Sequence, residues 1–215
     1  MPSHLQKEIE KIKKNILSLG AIVEDRFQKA IYSVKTEDLE LAEFIISSDY
    51  QVDELEIEME EDCLKILALY QPVAMDLRFI VAVIKINNDL ERIADYAVNI
   101  ARRFKTSSDN PNKFKYDYTS MANQATKMLR MSLDALVRMD VSMAYDVIKM
   151  DKDVNFMRNE AYDSMKNDIK KHPEMVSEII NMYLISRHLE RIGDHTTNIA
   201  EEVIYLIKGD IVRHS

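Results

Sequence analysis

Apolar residues recur at spacings of three and four along almost the whole chain, the pattern of helices that each bury one stripe. Ser3 with Gln6 reads as a capping box that opens a first helix, running to about Val34. Thr36-Glu37-Asp38 caps a second, acidic in its first turn as the helix dipole favours, and this helix continues to about Tyr70. Pro72 stands near the first turn of a third, where proline is tolerated. The seam of that helix is Val83, Ile86, Leu90, Ile93, Ala97 and Ile100, and it ends near Phe104. Lys105 to Lys113 is polar, contains Asn-Pro and has no apolar residue, so it reads as a linker. The pattern then restarts with fourth and fifth helices over Tyr116 to Val137 and Val141 to Lys171. Pro173 opens a sixth, with the seam Met182, Ile185, Leu189, Ile192, Thr196, Ile199, Val203 and Leu206 and Gly209 as its stop.

The second three helices repeat the first three. Leu90 to Ala101 lies over Leu189 to Ala200 at an offset of 99 with eight of twelve positions identical, too many for shared helical composition to explain. A weaker match sets Asp49-Tyr50-Gln51-Val52-Asp53 over Asp151-Lys152-Asp153-Val154-Asn155, early in the middle helix of each half. The expected fold is all-α: six long helices forming two pseudo-symmetric three-helix bundles, residues 1–104 and 114–215, joined by a linker over 105–113.

Composition narrows the picture further. Three glycines and four prolines in 215 residues leave little of the punctuation that strands and hairpins need. A single cysteine, Cys63, forms no internal disulfide and reads as a core residue of a protein kept in a reducing compartment. The first residues turn polar at once, with no apolar h-region, and the run Phe79 to Ile84 is too short for a membrane span, so a soluble cytoplasmic protein is expected. A formal charge of -8 without a Lys/Arg cluster argues against nucleic acid and for cations or a basic partner surface.

The candidate chemistry lies in the repeated motif. On a helical wheel Leu90, Ile93, Ala97 and Ile100 gather on one side, while Glu91, Asp95 and Asn99 fall about 100° or more away. Glu190, Asp194 and Asn198 repeat the layout, and Asp49 and Asp53 are likewise one turn apart. Carboxylates four residues apart repel by roughly 0.2–0.5 kcal/mol on an exposed helix. A lone pair of this kind is ordinarily a solvated face; the same pair at matched places in both halves favours a bound hard cation such as Mg²⁺, Ca²⁺, Mn²⁺ or ferric iron. The Glu-x-x-His of di-iron bundles is missing, because Ala94 follows Glu91 and Gly193 follows Glu190 at that spacing. His172 and His188 read as surface residues, His195 as a surface residue or else an extra ligand beside Asp194, and no nucleophile–base pair, phosphate loop or zinc spacing marks a catalytic centre.

Gln71-Pro72-Val73-Ala74-Met75-Asp76-Leu77-Arg78, followed by Leu90-Glu91-Arg92-Ile93-Ala94-Asp95 and Asn99-Ile100-Ala101, closely resembles the PhoU family of bacterial phosphate-specific transport regulators. Leu189 to Glu201 resembles the second repeat of that family, so the likeness covers essentially the whole chain. The resemblance implies two three-helix bundles and multinuclear iron or zinc clusters on acidic motifs. Carried over, the metal ligands are Asp49, Asp53, Glu91 and Asp95 in the first half and Asp151, Asn155, Glu190 and Asp194 in the second. Asn155 departs from the family pattern by replacing a carboxylate with an amide, which predicts weaker metal binding in the second half. In function the resemblance implies a negative regulator of the phosphate-starvation response and of phosphate uptake. Its expected partners are the ATPase of a phosphate ABC transporter, a sensor histidine kinase and a second copy of itself, and it reaches the membrane only through them. A metal-independent helical adaptor or chaperone-like partner of another transporter is the alternative, and a di-metal oxidase the least favoured reading.

Overall fold

The computed structural model describes residues 4–108, 115–210 and 212, and every regular element among them is helical. There are seven α-helices: α1 His4–Thr36, α2 Leu39–Ser47, α3 Tyr50–Tyr70, α4 Ala74–Ser108, α5 Thr119–Arg138, α6 Val141–Lys171 and α7 Val176–Lys208. The first half is α1 to α4 and the second α5 to α7. The expected cap at Ser3 lies outside the described residues, as do 109–114 of the expected linker. Lys105 to Ser108 are not linker but the last turn of α4.

Each seam read from the sequence is the buried stripe of its helix. Val83, Ile86, Leu90, Ile93, Ala97 and Ile100 on α4 are fully buried, as are Ile185, Leu189, Ile192, Thr196, Ile199, Val203 and Leu206 on α7. These two helices pack on each other more extensively than any other pair, so the halves share one continuous core. Cys63 is part of it. At Gly20 on α1, an added Cβ would lie 2.9 Å from both terminal carbons of Leu133 on α5, so glycine permits the second close approach between halves.

Polar groups also cross the α4–α7 seam. His195 Nδ1 lies 2.8 Å from Asp89 Oδ1, which also accepts from Asn198 Nδ2 at 3.0 Å. Tyr96 stacks at a tilt between His188 and His195, with ring centroids 5.7 and 5.6 Å away. The offset of 99 exchanges Asp89 with His188 and Tyr96 with His195, so the Asp89–His195 contact is the pseudo-symmetric image of His188–Tyr96. The surface placement expected for these two histidines is therefore corrected. Both belong to the inter-half seam, and burial pushes the His188 imidazole down to about 4, with Arg103 and Arg187 adding to the shift. His172, by contrast, is exposed.

The middle helices differ between the halves. Asp38 caps α2 by accepting from Leu41 N at 2.9 Å, and Asp140 caps α6 in the same way from Met143 N at 3.0 Å. The residues before these caps, Glu37 and Met139, share the left-handed conformation, which sets the register of the two halves at 102 here. The single second helix expected over 36–70 is nevertheless interrupted at Ser48 and Asp49, whereas α6 runs for 31 residues unbroken. The buried Arg26 of α1 explains the break. Its guanidinium donates to Ser48 O at 2.6 Å and to Asp49 O and Oδ1, both at 3.3 Å, giving a second partner to carbonyls that also accept from Gln51 N at 3.2 Å and Val52 N at 3.0 Å. In register, Met128 stands where Arg26 does, and it is fully buried. A methionine offers those carbonyls nothing, so the second half keeps its helix continuous.

Candidate metal centre

In the first half the break positions Asp49 at the start of α3, facing the middle of α4. Asp49, Asp53 and Glu56 lie on one face of α3 at spacings of four and three, and Glu91 and Asp95 on the apposed part of α4. The four acids singled out in this half influence one another. Burial pushes the Glu91 carboxyl up to about 7, helped by Asp95 and opposed by Arg92, with Asp53 adding further. Burial likewise raises Asp49, with Asp53 and Asp95 adding and Arg26 and Arg102 opposing. Glu56 is raised too, by burial and then by Glu60 and Asp53. Each shift records first the cost of burying a negative charge and then the repulsion of neighbours of the same sign.

Arginines partly relieve that cost from the solvent side. Arg92 stands 3.5 Å from Glu91 Oε2 and 3.4 Å from Asp95 Oδ2, and Arg102 stands 3.6 Å from Asp49 Oδ2. Both arginine side chains are about half exposed, so they can swing into water without leaving a buried charge behind. Among the described residues no three His, Cys, Asp or Glu side chains are gathered closely enough to hold a metal ion as they stand. The chemistry of the first-half donors fits a hard cation all the same: they are carboxylate oxygen ligands on two facing helices. A bound cation would draw them inward by side-chain rotation.

The matched acids of the second half are arranged otherwise. Asp151 is only 3% exposed, and Asn155 Nδ2 donates to its Oδ2 at 2.6 Å. Its Oδ1 rests against Gly193, where an added Cβ would come within 3.4 Å of it. Ala94 occupies the position in α4 that Gly193 occupies in α7, so only the second half lets an aspartate settle onto the facing helix backbone. Glu190 is buried as well, and Arg158 of α6 donates to its Oε1 from Nε at 3.0 Å and from the terminal NH2 at 2.8 Å. Burial raises Asp194, with Glu190 adding, while Arg191 opposes by donating at 3.0 Å. Glu190, which the wheel sets apart from the apolar side of its helix, is thus buried against α6 and not on a solvated face. This set does not fit a metal. Its central carboxylate already holds a guanidinium, and Asp151 is bonded to the amide beside it.

The structure thus brings Asp49, Asp53, Glu91 and Asp95 to one face-to-face region. It also places Asp151, Asn155, Glu190 and Asp194 at the equivalent contact, with different bonding. Asn99 and Asn198 do not join them: Asn99 accepts from Arg102 at 3.2 Å, and Asn198 turns to Asp89. Sequence reasoning missed Arg26, Glu56 and Arg158. The register of 102 that pairs Asp49 with Asp151 also pairs Glu56 with Arg158, a signal available in the sequence, but only the packing of α3 on α4 and of α6 on α7 makes it informative.

Comparison with known proteins agrees with this duplicated plan. The PhoU domain matches the chain twice, over residues 16–104 and 118–203. A phosphate-specific transport system accessory protein PhoU homolog of Pseudomonas aeruginosa is 35% identical over 210 residues, spanning 96% of this chain and 86% of that protein. The crystal structure of PhoU from Pseudomonas aeruginosa superposes with a TM-score of 0.92 at 34% identity, covering 96% of this chain and all of that one. That of the phosphate transport system regulatory protein PhoU from Streptococcus pneumoniae gives 0.86 at 26% identity over 98% of this chain and all of that one. With two domain matches that together span most of the chain and the same helical architecture, this protein belongs to the PhoU family.

Proposed function

We propose that this chain is a negative regulator of the phosphate-starvation response and of phosphate uptake, acting in the cytoplasm as an accessory protein rather than an enzyme. It would link the ATPase of a phosphate ABC transporter to a sensor histidine kinase and hold the kinase off when phosphate is plentiful. The observation that carries this reading is the pair of PhoU domains over nearly the whole chain, in relatives named for phosphate-specific transport. Among the described residues no helix is long and apolar enough to cross a membrane, which suits a protein that reaches the membrane through partners. The acidic charge of -8 favours basic docking surfaces on those partners.

Metal dependence belongs to the same reading. Asp49, Asp53, Glu91 and Asp95 would hold the cation, iron and zinc being the family expectation and Mg²⁺, Mn²⁺ or Ca²⁺ equally suited to oxygen donors. What the cation supplies is positive charge between α3 and α4. The four carboxylates would hold it in place of Arg92 and Arg102, and its charge would offset the repulsion across the contact between α3 and α4. Only a form whose acids are drawn together gains from the cation, so the metal would select that form for docking, alone or as a homodimer.

A reporter of the phosphate regulon, such as alkaline phosphatase, tests the signalling role in a deletion strain grown on abundant phosphate. Constitutive expression, returned to repression by the intact gene, is expected; unchanged repression overturns it. One observation favours a second reading, a metal-independent adaptor: Asp49, Glu91 and Asp95 each have an arginine within 4 Å. Equal capture of the kinase and the transporter ATPase by wild type and by Glu91→Gln/Asp95→Asn would select that reading.

A further inference from the structure

We infer that Arg158 is a built-in cation: the second half-site is closed by its own guanidinium, and the chain keeps a metal only at its first half-site. The inference rests on the metal-binding reading of the first half given above, but its own evidence lies in the second.

The two half-sites are related by the internal repeat, so like positions can be compared directly. Asp49, Asp53 and Glu56 on α3 correspond to Asp151, Asn155 and Arg158 on α6, and Glu91 and Asp95 on α4 to Glu190 and Asp194 on α7. Five carboxylates in the first half thus become three carboxylates, an amide and a guanidinium in the second. The changes are complementary. Glu56→Arg158 reverses a charge at the position that reaches the facing helix, and Asp53→Asn155 turns an acceptor-only group into one that donates to its neighbour.

Bonding follows the substitutions. Arg158 makes two hydrogen bonds to one oxygen of Glu190, at 3.0 and 2.8 Å, with both side chains mostly buried, at 25% and 11% exposed. Arg187 stands behind the other oxygen at 3.9 Å. Charge-assisted bonds of this kind are among the strongest a protein makes, and a divalent ion would have to displace a partly buried guanidinium before it met the carboxylate. The first half also owns a buried arginine, Arg26, but most of its bonding goes to backbone carbonyls at the helix break. It contributes a single 3.3 Å contact to Asp49 Oδ1 and none to Glu91. The first half therefore leaves its central carboxylates to half-exposed arginines, and the second does not.

A metal would consequently act on the two halves unequally. The α3–α4 contact would tighten and loosen with metal supply, while α6–α7 would stay locked whatever the supply. In a protein with one continuous core, that makes the first half the responsive part and the second the fixed support.

The test uses the full chain, charged with zinc alone, desalted, and assayed for bound metal by mass spectrometry and for affinity by calorimetry. Carboxylate-to-amide changes preserve shape, and circular dichroism checks the fold of each variant. Glu91→Gln/Asp95→Asn should lose all bound zinc, and Glu190→Gln/Asp194→Asn should retain the wild-type amount. Retention of half or more of the zinc by the first variant overturns the inference. In the Glu91→Gln/Asp95→Asn background, Asn155→Asp/Arg158→Glu should restore zinc binding, and its failure to do so in a folded protein counts against Arg158 as the closing group. Should wild type hold no zinc, iron or manganese at all, it is the metal reading of the first half that fails. The role of Arg158 is then decided in chelator: Arg158→Gln should lower the melting temperature, and adding Glu190→Gln should recover at least half of the loss. Additive effects of the two changes would overturn it.

Discussion

The two halves of this protein reach the same helical plan by different local means. In the first, a break between α2 and α3 turns Asp49 toward α4, and buried Arg26 donates to the carbonyls of Ser48 and Asp49 at the break. In the second, Met128 replaces that arginine, α6 continues without interruption, and Asp151 settles against Gly193 instead. The acids on the first side are crowded and partly exposed; on the second Asp151 and Glu190 are buried and bonded within the protein, while Asp194 is as exposed as Asp95. Duplication supplied one scaffold twice, and a few substitutions at facing positions made one copy a centre of unbalanced charge and the other a closed joint.

The sharpest way to break this comparison is to give the first half the residue of the second. Arg26→Met removes three hydrogen bonds made by a buried guanidinium, at about 1 kcal/mol each, and takes a counter-charge from Asp49, so it should cost about 3 kcal/mol in urea unfolding. A much smaller loss would mean that α2 and α3 can merge into one helix as α6 does, which hydrogen exchange at Ser48 to Val52 would report as new protection. Next in size is Arg158→Gln, expected to cost about 2 kcal/mol in chelator because Glu190 loses its charge-assisted partner.

The pH dependence sharpens the same contrast. The folded Glu91 carboxyl is raised from 4.5 to about 7, chiefly by burial. The folded state therefore holds that proton more tightly than the unfolded chain does. Its stabilising contribution is complete below about pH 4.5 and is lost as pH rises through about 7. Measured against Glu91→Gln in chelator, metal-free wild type should lose on the order of 1–2 kcal/mol over that window. Smallest is Gly193→Ala: the helix gains about 1 kcal/mol of propensity, and the 3.4 Å approach of the new Cβ to Asp151 Oδ1 and Val154 offsets it. Stability should move by less than about 1 kcal/mol, with Asp151 displaced enough to shift the amide resonances of Val154 and Asn155.

Most of the helices could be read from apolar spacing, because long amphipathic segments declare their buried stripe. The seams on α4 and α7, the cap at Asp38 and the stop at Gly209 are where the pattern puts them. The helix break at Ser48 could not be read that way. Nothing in Ser48-Asp49 forbids a helix, and the cause stands 22 residues earlier on another helix. The histidines illustrate the same limit. His188 and His195 sit on the sides of a surface-like stripe, and only the packing of α4 on α7 turns that stripe into an interface.

By itself the sequence determined the helical class, the duplication, the buried seams and the repeated acidic motif, all of which depend on neighbours within about two turns of one helix. The tertiary structure alone decided which acids are crowded and which are neutralised. That question depends on what the facing helix presents, Arg26 against Met128, Ala94 against Gly193 and Glu56 against Arg158. Electrostatic cost is set by burial and by partners across the contact, and neither is written along a single helix.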